Sequence, residues 1–130
     1  MPPLQGNIYH AEFAGIPHGK FFIIIQTAIN RKTLATVFIN TDINPRKFPT
    51  QELKDLHLKI FAKDYSFLNH DSYIDCSDII ERDFLEIEEY IAEHPRCSKG
   101  SLIDSDLKEA MTRLMRSPLI SPKIRIKYGI

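Results

Sequence analysis

The stretch that most constrains this chain is Lys20–Thr27, Lys-Phe-Phe-Ile-Ile-Ile-Gln-Thr. From Phe21 to Ile25 it is β-branched and aromatic without interruption. A strand with one wet face alternates apolar and polar residues, whereas a continuous run needs cover on both faces. Such a strand belongs at the centre of a sheet or in the wall of a small barrel. Asn30-Arg31-Lys32 follows as a polar turn, and Thr33–Thr41 is a second run rich in Thr, Val, Phe and Ile. The two runs therefore read as a hairpin.

The remaining β signals are short. Ile8–Phe13 reads as a first strand, broken by Gly15-Ile16-Pro17-His18-Gly19. Two prolines bar a long strand across Asp42–Pro49. Leu56–Ile60 alternates as a half-buried strand, and Ser72–Ser77 is strand-like in composition. Past residue 80 the spacing changes. Phe84, Ile87, Tyr90 and Ile91 recur at helical steps up to Pro95. Asp104 or Ser105 can cap a second helix with a stripe of Leu107, Met111, Leu114 and Met115, stopped at Ser117-Pro118. The expected fold class is α+β: about five short antiparallel strands, then two C-terminal helices. The 130 residues suit one domain, mainly β over 1–80 and helical over 81–116, with a basic segment over 117–130 either exposed or docked.

Composition excludes several classes. With 43% hydrophobic and 26% charged residues the chain is not of a disordered type. Seventeen basic and 17 acidic side chains sum to zero, which argues against coating nucleic acid by bulk charge. The balance hides two poles: Glu81 to Glu93 is acidic, and Arg113, Arg116, Lys123, Arg125 and Lys127 follow Glu109 with no acid among them. The basic set can hold phosphates or an acidic protein, or be a solvated face. No apolar run nears the roughly 18–20 residues of a membrane span. Met1–Gly6 lacks the pattern of a secretory leader, and Cys76 and Cys97 form no C-x-x-C pair. The expectation is a reduced, cytoplasmic protein.

Three stretches carry a family resemblance. They are Gly19–Gln26, where a basic residue leads a hydrophobic run; Val37–Thr41, a strand ending in a hydroxyl residue; and Asp71–Ile79, a strand entering the helical part. Gly100-Ser101-Leu102 before the last long helix adds to them. In this order the chain resembles the MazF/PemK family of toxin endoribonucleases, small SH3-like β-barrels with appended helices. The resemblance implies a homodimer that cuts single-stranded RNA without metal or cofactor and is held inactive by a cognate antitoxin protein. One departure stands out. The family typically has Arg, often followed by Pro, where this chain has Lys20-Phe21, and a Lys is a point charge rather than a bidentate fork.

RNA cleavage of this kind needs a base for the 2′-hydroxyl, an acid for the leaving 5′-oxygen, and donors for the charged transition state. By resemblance Lys20 stabilises charge and can give a proton, and Thr41 donates to a phosphate oxygen. Lys20 can equally be a solvated strand end, and Thr41 a turn residue before Asp42. His18, two residues before Lys20, is a third candidate, for proton transfer; the resemblance does not supply it. His70, Asp71, Asp75 and Cys76 match no established zinc spacing, and Asp75 and Cys76 would point to opposite strand faces. They read as turn and core residues, and the aromatics Tyr65 and Phe67 as satellite core. Lys in place of Arg also favours a rival, a non-catalytic SH3-like module that docks protein or nucleic acid.

Overall fold

The computed structural model describes residues 2–12 and 19–130. Seven strands and four α-helices are found among them: β1 Asn7–Ala11, β2 Lys20–Thr27, β3 Thr33–Asn40, α1 Gln51–Lys54, β4 His57–Ile60, β5 Ser72–Asp75, β6 Ile80–Asp83, α2 Phe84–Glu93, β7 Ser98–Ser101, α3 Asp104–Arg116 and α4 Pro122–Tyr128. The fold is α+β, as expected, with an antiparallel sheet that curls into a half-barrel ahead of its C-terminal helices. No helix among the described residues is long and apolar enough to cross a membrane.

The sheet order is β4-β5-β3-β2-β1-β7. β3 makes the curl. One edge pairs with β2 along its length; the other pairs first with β6, over Thr33–Thr36, then with β5, at Ile39 and Asn40. The β2–β3 register shifts between Ile24 and Gln26, a bulge that bends the strand. Arg31, at φ 59°, closes the hairpin turn, and Asn30 accepts the Lys32 amide at 3.0 Å.

The central run is covered on both sides. Ile23, Ile25, Val37, Ile39, Leu58, Ile60 and Ile74 face a core shared with Ala110 and Leu114 of α3 and Tyr128 of α4. Phe22, Ile24 and Leu34 face a second cluster with Tyr9, Ala11 and Ile87, against which Phe84, Tyr90 and Ile91 of α2 pack. Each fully buried Ile contributes about 1.5–3 kcal/mol, so the hairpin anchors both layers. Cys76 lies in the first cluster with Ile74, and Asp75 between them takes the opposite side, as alternation requires.

Several local expectations change. Met115 is 63% exposed; Ala110 takes its place in the stripe with Leu107, Met111 and Leu114, because Met115 lies about 100° further round the helix than Leu114. Neither Asp104 nor Ser105 caps α3: the helix starts at Asp104, its N-cap Ile103 has no side-chain cap, and the Ile103 amide donates to the Tyr65 hydroxyl at 3.1 Å. The 117–130 segment docks. Tyr128 is buried, and its hydroxyl lies 2.7 Å from both Thr33 Oγ1 and Glu81 Oε2. Ser121 caps α4 and Gly129 closes it in the left-handed conformation.

Candidate active site

The chain approaches the start of β2 through Gly19, at φ 62°. A Cβ there would lie 2.7 Å from His10 Cε1 and 2.9 Å from Glu12, so glycine serves both the left-handed conformation and the close approach. It delivers Lys20 to the sheet end, opposite the end of β3. The third wall is the 61–71 loop. Asp71 Oδ1 accepts the Ala62 amide at 2.9 Å and closes the loop. The buried Tyr65 donates to Asp106 Oδ2 and so ties the loop to α3; burial and that carboxylate hold the phenol well above its ordinary range. Phe67 then packs between Tyr65, at 5.9 Å, and Phe21, at 4.8 Å.

These three elements enclose a pocket of about 280 Å³. Lys20, Asn40, Thr41, His70 and Ser72 supply its polar groups, and Phe21 and Phe67 are among its apolar ones. The volume is near the lower end for small-molecule sites.

Lys20 and Thr41, 21 positions apart, thus reach one pocket. Their orientations differ. Lys20 Nζ donates to Asn40 Oδ1 at 2.8 Å and lies 4.9 Å from the Phe38 ring centroid, so its stem runs on the α2 face. An ammonium has three donors, and among the described residues Asn40 alone accepts a hydrogen bond from it. Thr41 is exposed, one residue past β3. His18 lies outside the described residues.

His70 reaches the pocket without having been singled out for proton transfer. Its Nδ1 sits 3.1 Å from the Asp71 carbonyl and 3.3 Å from Ser72 Oγ. A carbonyl only accepts, so in the neutral ring that contact corresponds to a proton on Nδ1 and makes Nε2 the acceptor. Spacing could not reveal this, because the contacts that orient the ring arise where the loop turns into β5.

The other candidates have structural duties. Asp75 accepts both the amide and hydroxyl of Ser77. Cys76 is fully buried, and burial pushes its thiol up to about 12, leaving a protonated core side chain. No group of three or more His, Cys, Asp or Glu side chains that could hold a metal occurs among the described residues. The basic tail is partly committed. Arg113 bonds Glu109 and the carbonyls of Asp55 and His57, and Lys127 pairs with Glu81 at 2.6 Å. The chain matches no protein-family model, and no curated protein matches it.

Proposed function

We propose that this protein is a MazF/PemK-like toxin: a cytoplasmic, homodimeric endoribonuclease that cleaves single-stranded RNA without metal and is restrained by an antitoxin. One observation carries the reading. The two residues singled out for phosphate chemistry, Lys20 and Thr41, line the same small pocket, together with an imidazole.

In the reaction, His70 Nε2 takes the proton of the 2′-hydroxyl, and the oxygen attacks phosphorus. The bond to the 5′-oxygen breaks, and that oxygen takes a proton from Lys20. The products are a 2′,3′-cyclic phosphate and a 5′-hydroxyl. The remaining Lys20 donors and the Thr41 hydroxyl stabilise the charge gathering on the phosphate oxygens. One such donor is worth about 10²–10³-fold, and acid–base help about 10²–10⁴-fold.

A second reading has its own support. The Lys20 ammonium is held by Asn40 and Phe38, an arrangement that also serves a non-catalytic module binding RNA or protein. Inducible expression separates the two, with growth and RNA integrity followed for wild type and Lys20→Ala. The enzyme reading expects RNA breakdown with wild type and its loss in the variant. Intact RNA with wild type, in a host lacking the antitoxin, favours the module.

A further inference from the structure

Strand register builds a second feature that the pocket does not absorb. Asn40 pairs with Tyr73, and Tyr73 with Lys59. Phe21 pairs with Ile39, which sets Lys20 opposite Asn40, and the 2.8 Å Lys20–Asn40 bond joins them. One row, Lys20–Asn40–Tyr73–Lys59, therefore crosses β2, β3, β5 and β4 on a single face. Three inter-strand steps make it about 14–15 Å long. Phe61 follows Lys59 by two residues and extends the row. It is 42% exposed, and Lys59 Nζ and Lys63 Nζ each lie 5.6 Å from its ring centroid.

The surroundings leave this row open. α2 covers the part of the face that holds Phe22 and Ile24, and Phe48 packs on His57 next to the row. Lys59 is exposed, and Lys20, Asn40 and Tyr73 are half-buried. Among the described residues the Tyr73 hydroxyl has no hydrogen-bond partner. Of the nearby carboxylates, Asp75 is half-buried and engaged by Ser77, Asp71 is exposed but engaged by the Ala62 amide, and Asp64, beside Lys63, is exposed.

Cations interleaved with ring faces are the chemistry that holds single-stranded nucleic acid: the charges follow the backbone, and the rings accept any base. We infer that this row is the track along which single-stranded RNA enters the pocket. Tyr73 and Phe61 stack bases, Lys59 and Lys63 hold phosphates, and Lys20, shared by row and pocket, marks where the track meets the reacting phosphate. The inference rests on the RNA reading above, and it adds a binding path that requires no base-specific contact.

The test is fluorescence anisotropy of the full chain with a labelled 2′-O-methyl oligouridine, which lacks the attacking hydroxyl. Tyr73→Leu and Phe61→Leu, which keep apolar bulk, should each weaken binding about five- to 150-fold. Lys59→Gln should lower the slope of log affinity against log salt by about 0.7. Leu85→Ser, at an exposed site on α2, serves as the control and should bind like wild type, and thermal unfolding checks that each variant is folded. Wild-type binding unaffected by the three row variants overturns the track, as does absence of wild-type binding. Equal affinity for a polyglutamate peptide overturns the RNA assignment in favour of an acidic protein partner. Row-dependent binding without cleavage of ordinary RNA supports the track and sinks only the enzyme reading.

Discussion

Acidification should unfold this protein partly through His57. The ring is 4% exposed, and neither nitrogen has a hydrogen-bond partner among the described residues. Phe48 packs edge-on at 4.2 Å. Asp75 Oδ1 is 3.9 Å from Nδ1, too far for a hydrogen bond, and Lys47 adds like charge. Burial dominates and lowers the His57 pKa, with Asp75 opposing and Lys47 reinforcing the shift. The native state therefore disfavours the proton that the unfolded chain accepts. The sign follows: stability is full above the unfolded value of about 6.5 and is lost as pH falls from there through the lower folded value. The loss is at most about 1.4 kcal/mol per pH unit. His57→Leu removes the titration and also two orphan nitrogens, each worth about 1–3 kcal/mol when buried unpaired. Urea unfolding of both proteins between pH 8 and 5 checks this. The variant should match or exceed wild type at pH 8, and its advantage should grow as pH falls. A constant difference across the range, or one that shrinks, would mean that His57 does not couple folding to pH.

Other expectations are sharper locally. Gly19→Ala should cost about 1–2 kcal/mol from the left-handed backbone alone, measured by urea unfolding, and an unchanged midpoint would contradict the Gly19 argument. Tyr128→Phe removes the hydroxyl shared by Thr33 and Glu81 and should cost about 1–3 kcal/mol in the same assay; no loss would mean the tail does not depend on that contact. Thr41→Val keeps shape but deletes the hydroxyl, so cleavage should fall about 10²-fold with the melting temperature unchanged; full activity would remove Thr41 from the site. His70→Gln should lower kcat/KM by about 10²–10⁴-fold; wild-type activity in that variant, with the loss falling on His18→Gln instead, would move the base to His18.

The hairpin was legible because its signal is burial itself: only a strand covered on both faces carries five apolar residues in succession. α2 and α3 were legible because their stripes follow the helical period. What escaped is held by backbone or by distant partners. β7, Ser-Lys-Gly-Ser, is exposed throughout and exists because the free edge of β1 offers it a ladder. α4 is a seven-residue helix whose anchor, Tyr128, meets Thr33 and Glu81, 95 and 47 positions earlier. In the site, Lys20 and Thr41 were found by resemblance. Asn40, His70 and the Tyr73–Lys59 row emerge only from register and loop closure, which no local pattern encodes.

Cleavage of RNA at this pocket, with Lys20 at its heart, is what we propose. The most direct measurement is digestion of a long single-stranded RNA by purified protein in the presence of EDTA, with analysis of the product ends, for wild type and Lys20→Ala. The expected products are metal-independent fragments ending in 2′,3′-cyclic phosphate and 5′-hydroxyl, with activity lower by about 10²-fold or more in the variant. Intact RNA with the folded wild-type protein, or equal cleavage by the variant, would contradict that proposal.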